Sequence, residues 1–437
     1  MSALPRTAPQ AERDALRRGW CPSTLKPMET GDGWLVRLHP PGARLVPQQL
    51  ERIAELAAAH GNGLVEISAR ANLQIRGVTP ASHPVLVERL LAEGLVDEHD
   101  GDGPQRLTLI SPLAGADEYG GGRIDAVSIA GEIERQGRTI PGLPPKLSIV
   151  VDDGGAFPLD GFACDLRLVG IGDGLVALGL ADRRWLGPLL ESAVAAAVAA
   201  VLRGFARAHR AAPARIRRLR DLSDMALAAL IDLPGAVPPA RRPPPRRAGL
   251  FALANERFAV LIGLPFGRSE AGTLAKLATT TPDEAEIRLS PWRGLAFQGL
   301  GRAGAQRLLA LAEDLGLIVG DGDPRLSVQA CAGSPACSRA EVRAMADADR
   351  LAEAAAGLLA RGATLHVSGC MKACAHPGSA DLTLTGRAGH YEVVLGGTTR
   401  DKPVATLDLS AVLARLQPGQ EIHARLTEAA RRTGSRG

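Results

Sequence analysis

The residues in this chain best suited to chemistry are four cysteines in two tight groups. Cys331 and Cys337 stand in Cys-Ala-Gly-Ser-Pro-Ala-Cys, and Cys370 and Cys374 in Ser-Gly-Cys-Met-Lys-Ala-Cys. Four thiolates presented by two loops meet the requirement of a [4Fe–4S] cluster. Structural zinc is the alternative, although it prefers pairs separated by two to four residues. A redox disulfide would show Cys-x-x-Cys, which is absent here. Each group follows an apolar stretch (Leu326–Gln329 and Thr364–Val367) and contains small residues that let the backbone come close. Cys21 and Cys164 have no partner at ligand spacing and read as inert packed thiols.

Basic side chains form the second candidate set. Arg70, Arg76, Arg106, Lys146, Arg288 and Arg293 lie at or beside apolar strand patterns. Burying such groups unpaired is costly, so they read either as members of ion pairs or, taken together, as a cage for a polycarboxylate. Gly299-Leu-Gly-Arg-Ala-Gly304 matches a dinucleotide fingerprint. The matching turn elsewhere in the chain, Gly77–Ser82, has the same context without the glycines. A plain turn therefore explains the match, and electrons would come from a separate reductase.

The elements that must position these residues are written twice. Asn72–Val78, a helix over 84–93, an acidic glycine-rich turn and Arg106–Gly115 recur as Gly294–Leu300, a helix over 303–315, another acidic turn and Arg325–Gly333. Asp165–Gly170 and Leu175–Gly179 recur as Asp381–Gly386 and Tyr391–Gly396. The order predicts an α+β fold, internally duplicated, with two ferredoxin-like half-domains and two larger α/β domains about a pseudo-twofold axis. The expected units are an N-terminal extension (1–26), half-domain 1 (27–98), larger domain 1 (104–235), a solvated Pro/Arg linker (236–248), half-domain 2 (249–318) and larger domain 2 (322–430), which carries the cysteines. At the place where Cys370 follows its strand, the first half has Asp152 and Asp153. Only one half can hold a cluster.

Composition narrows the partners. The 437 residues are 46% hydrophobic and 3% aromatic, with a formal net charge of +4. Arginines and carboxylates are mixed through most segments, so no nucleic-acid partner is expected. The longest apolar run, Ala193–Leu202, falls well short of the roughly twenty residues a membrane span needs. The first twenty residues are arginine-rich without an apolar centre, which predicts a cytoplasmic protein with no membrane partner.

Ser68-x-Arg70-x-Asn72-x-Gln74, Arg106 ahead of Ser111-Pro-Leu-Ala-Gly115, and Ser368-Gly-Cys370-x-x-x-Cys374 ahead of Asp381-Leu-Thr-Leu384 carry a resemblance. With them the chain resembles the sirohaem-dependent nitrite and sulfite reductase superfamily from about residue 27 onward. The resemblance implies a [4Fe–4S] cluster on Cys331, Cys337, Cys370 and Cys374, and oxyanion-gripping roles for Arg70 and Arg106. The family's Lys-x-Lys pair is incomplete here, since Lys146 is followed by Leu147 and Ser148.

Lys146 with Asp152-Asp-Gly154, Ser290-Pro-Trp-Arg293 and Cys374-Ala-His-Pro377 instead resemble the superfamily branch of aerobic cobalamin biosynthesis, the precorrin-3B synthases. That resemblance implies a monooxygenase hydroxylating precorrin-3A at C20 with γ-lactone formation. O2 is the co-substrate, and NADH supplies electrons, indirectly if the fingerprint is a plain turn. The implied cofactors are the cluster and a mononuclear non-haem iron, with sirohaem the alternative if the chain is an assimilatory reductase. Lys372, His376 and Lys146 are then candidate catalytic residues, and Arg70, Asn72, Gln74, Arg106, Arg288 and Arg293 candidate substrate contacts.

Overall fold

A computed structural model describes residues 20–99, 103–116 and 124–416. Most of the N-terminal extension and the tail beyond residue 416 lie outside the described residues.

In chain order the strands are β1 (Met28–Thr30), β2 (Gly33–Leu38), β3 (Arg44–Leu45), β4 (Leu64–Ile67), β5 (Leu73–Val78), β6 (Thr108–Ile110), β7 (Ile149–Asp152), β8 (Leu166–Gly172), β9 (Leu175–Leu180) and β10 (Arg184–Leu190). The second half contributes β11 (Gly249–Ala252), β12 (Phe258–Gly263), β13 (Arg268–Glu270), β14 (Glu286–Ser290), β15 (Gly294–Leu300), β16 (Val328–Ala330), β17 (Leu365–Ser368), β18 (Ala380–Arg387), β19 (His390–Gly397) and β20 (Ala405–Leu407). They form four five-stranded sheets.

The two small sheets run β1-β2-β5-β4-β13 and β11-β12-β15-β14-β3, so each takes its fifth strand from the other half. Arg268 of β13 pairs with Glu66 of β4 at 2.6 Å, and Arg44 of β3 with Glu286 of β14 at 3.3 Å. The exchange knits the two half-domains together. One apolar core runs through both, with Leu50 and Ile53 of helix Pro47–His60 joined to Leu274 and Leu277 of helix Ala271–Thr280. Each of these side chains is at most 1% exposed, and cutting such a leucine to alanine costs about 2–5 kcal/mol.

The two large sheets repeat one pattern. β6, β7 and β8 run parallel, β9 turns back, and β10 pairs antiparallel with β9; β16, β17 and β18 run parallel, β19 turns back, and β20 pairs antiparallel with β19. Loops leaving the carboxyl ends of parallel strands gather on one side, as ligand sites in such sheets require.

The linker is more than a solvated stretch. Arg242 pairs with Asp152 and Asp160, and Arg247 donates to the carbonyl of Leu326 at 2.8 Å. The glycine fingerprint follows β15, which is antiparallel to both of its neighbours, β12 and β14. The parallel β-α-β unit that gives such a fingerprint its function is not built there.

Candidate functional site

One cleft of about 1040 Å³ collects most of the candidate residues. Its size lies at the upper end of ordinary ligand sites, roughly 300–1000 Å³. The first small sheet, loops flanking the second (264–267 and 291–293) and both large domains contribute to its wall.

All four cluster-type cysteines line it. Cys331 follows β16, and Cys370 follows β17, where Ser368 Oγ donates to the carbonyl of Cys370 at 2.8 Å. The backbone N–H of Gly369 donates to Cys331 Sγ at 3.0 Å. A Cβ on Gly369 would stand 2.7 Å from Ala340 Cβ and 3.4 Å from that sulfur, so only glycine allows this approach. Burial pushes the Cys331 thiol up, and Cys370 and Cys337 add to the shift. Burial likewise pushes Cys374 up, opposed by Lys372 and reinforced by the other three cysteines. Four thiols that sense one another, beside backbone N–H donors, fit a [4Fe–4S] cluster. Among the described residues no three His, Cys, Asp or Glu side chains converge closely enough to form a ready-made single-ion site.

The loops that carry the cysteines are gripped from the small sheets. Arg76 of β5 donates to the carbonyl of Ala336 at 2.9 Å while pairing with Asp32 and Glu66 at 2.6 and 3.3 Å. Arg293 donates to the carbonyl of Ala375 at 2.9 Å. Its own backbone is left-handed (φ 62°), as is that of Ala373 (φ 54°), and such strain in non-glycine residues concentrates at functional sites.

The wall contributed by the first half is cationic. Arg37, Arg70 and Arg106 line it, and each is held below the usual guanidinium range mainly by burial. Arg37 and Arg106 repel one another as well, and Arg106 is pushed down to about 10. Arg106 donates to the carbonyls of Arg70 and Ala71, the latter at 2.9 Å, while its Nη1 is buried without a partner. Arg37 forks onto Gln74 Oε1 at 3.0 and 2.8 Å. Guanidiniums gathered this way form a receptor for anionic oxygens.

The cleft brings together Arg70, Asn72, Gln74, Arg106, Lys146, Arg293, His376 and the four cysteines. Arg288 is left out. It does not line the cleft, because its guanidinium pairs with Glu286 and donates to the carbonyl of Ala114 at 2.8 Å. Lys372 is outside the lining too and acts on Cys374 through its charge. Gln74 serves Arg37 and Glu66, and Asn72 closes the turn by donating its backbone N–H to Ser68 Oγ at 3.2 Å. His376 Nε2 lies 3.1 Å from the carbonyl of Ser379, and its ring meets His366 edge-on at 5.6 Å. His366 is fully buried, neither ring nitrogen has a partner, and burial holds it down to about 4.

Arg37 and His39 were not singled out from the sequence, though both line the cleft. An arginine inside the apolar strand Gly33–Leu38 was the available signal. Cys21 and Cys164 line the cleft as well, and burial pushes Cys164 up to about 12, which suits an unreactive thiol.

The nitrite/sulfite reductase ferredoxin-like half domain matches residues 26–93. A precorrin-3B synthase of Sinorhizobium sp. is 34% identical, covering 95% of this chain and 91% of its own. The sulfite reductase [NADPH] hemoprotein beta-component of Nitrosomonas eutropha is 26% identical over 85% of this chain and 75% of its own. The structure of Mycobacterium tuberculosis NirA shares the fold, with a TM-score of 0.69 and 20% identity over 91% of this chain and 84% of its own. The chain therefore belongs to the precorrin-3B synthase family, within the nitrite/sulfite reductase superfamily.

Proposed function

We propose that this protein is a monooxygenase of aerobic cobalamin biosynthesis, hydroxylating precorrin-3A at C20 with closure of a γ-lactone by a ring-A acetate. The observation that carries the reading is a cleft large enough for a tetrapyrrole, lined by four thiols from the second half and by Arg37, Arg70 and Arg106 from the first. Similarity to the Sinorhizobium enzyme supports the choice of substrate.

Cys331, Cys337, Cys370 and Cys374 would hold a [4Fe–4S] cluster, which supplies single electrons when bound. The chain's own side chains do the rest. Arg70, Arg106 and Lys146 take substrate carboxylates and fix the ring system in the cleft, which converts an encounter into an oriented reaction. Arg293 positions the Cys374–His376 loop by holding the Ala375 carbonyl. His376 is the polar side chain that this loop offers to the bound macrocycle, as a proton donor or a ligand to a second, non-haem iron. Electrons originate from NADH and enter through a separate reductase, since the glycine turn after β15 lacks a parallel partner strand.

The test supplies anaerobically prepared protein with precorrin-3A, reductant and 18O2. One labelled oxygen in a lactone product is expected. Reduction of sulfite or nitrite by a sirohaem-containing protein, with precorrin-3A unchanged, would overturn the reading in favour of an assimilatory reductase.

A further inference from the structure

The cationic wall holds a dyad that the clamp described above leaves unused. His39 follows β2, and its carbonyl accepts the N–H of Asp97 at 2.8 Å, tying it to the segment that ends in Glu98. His39 Nδ1 lies 2.8 Å from Glu98 Oε1, and the hydroxyl of Thr24, itself fully buried, donates to the same oxygen at 2.9 Å. The Glu98 side chain is only 1% exposed and that of His39 8%. An ionised carboxylate so placed keeps the proton on Nδ1 and leaves Nε2 as a lone pair. No described residue hydrogen-bonds to Nε2, and the ring lines the cleft beside Arg37 and Arg106.

A purely structural histidine would have both nitrogens satisfied. Here the open nitrogen stands in the wall where Arg106 Nη1 is also buried without a partner. Arg37 commits Nε and Nη2 to Gln74 and also meets the Cys21 thiol, so it enters the wall chiefly as a positive charge. Two open nitrogens and one charged guanidinium thus lie in one wall.

We propose that His39 Nε2, Arg106 Nη1 and the Arg37 guanidinium form a carboxylate subsite, in which the imidazole takes up one solvent proton as the carboxylate arrives. The proposal deepens the tetrapyrrole reading and rests on it. No covalent bond is made or broken: the proton moves from solvent to Nε2, which then donates to the bound oxygen.

The charged groups facing His39 set the sign. Glu98 favours the cation, and Arg106 and Arg37 oppose it; Asp97 and His99 flank Glu98 on the same segment. Burial is the largest influence, and the balance holds the free imidazole below its ordinary range. A carboxylate against the two guanidiniums cancels their repulsion and gives the imidazolium an acceptor. The pKa therefore rises on binding, protons are taken up, and affinity grows as pH falls between the free and bound values.

Uroporphyrin, a polycarboxylate tetrapyrrole, is the probe, titrated calorimetrically into the full chain in two buffers of different ionisation heat. Uptake approaching about one proton per ligand is expected near neutral pH. His39→Gln, which can still donate to Glu98, should abolish the uptake and weaken binding about tenfold. Glu98→Gln keeps an acceptor without the charge and should reduce the uptake. Wild-type binding without proton uptake, uptake unchanged in His39→Gln, or no binding at all would overturn the subsite. Oxygenation of precorrin-3A without His39-linked uptake rejects the subsite alone; linked uptake without oxygenation rejects the proposed function alone.

Discussion

The loop after β7 and the loop after β17 leave equivalent strands of two sheets built to one plan, and they solve the same backbone problem differently. After β7, Asp152 accepts the N–H groups of Gly154 and Leu159 at 2.9 and 2.7 Å and pairs with Arg242. After β17, Gly369 turns its N–H onto a cysteine sulfur, and Cys370 and Cys374 face the cleft. A carboxylate satisfies the first loop from within. The second loop is held from outside, by Arg293 on Ala375 and Thr399 on Met371. Duplication thus left one half closed and structural, and the other open to a guest group.

That contrast breaks most sharply at the thiols. Cys374→Ser should strip iron and acid-labile sulfide from the protein and abolish oxygenation. Cys164→Ser, in the lining contributed by the first half, should leave both unchanged. Equal loss in the two variants would mean that the ligands are misassigned.

Arg76→Gln should come next. It leaves Asp32 and Glu66 with less compensation and releases the Ala336 carbonyl, at a cost of about 3 kcal/mol. Thermal unfolding should show the loss, and iron content should fall with it because the Cys331–Cys337 loop is freed. Asp152→Asn in the closed loop should cost about 2 kcal/mol in the same experiment with iron content intact. Loss of iron there would show that the two loops are not independent.

The smallest effect separates two arginines that the sequence places in one set. Arg70→Gln should raise the KM for precorrin-3A about tenfold. Arg288→Gln should leave KM unchanged, since that side chain is committed to Glu286 and Ala114.

Much of this was legible in the chain. The repeated strand–helix order was readable because hydrophobic period and turn residues are local properties, and the cysteine spacing was readable because ligand loops are short. The exchange of β3 and β13 was not. Two- and three-residue strands carry almost no periodic signal, and their partners lie more than 200 positions away. Arg288 and Arg293 looked alike because both stand near strand ends. The structure separates them: Arg288 sits in the middle of β14 against Ala114, and Arg293 in the turn after β14 against the cysteine loop. His39 was passed over because its partner, Glu98, is 59 positions distant.

The most direct test of the central claim, that one half carries a cluster facing a cleft kept for a tetrapyrrole substrate, is the visible spectrum of anaerobically purified protein, with iron and sulfide counted on the same sample. The account predicts a broad cluster absorption with about four sulfides per chain and at least as many irons. Strong Soret and red sirohaem bands would contradict it, because the cleft would then already belong to a resident tetrapyrrole.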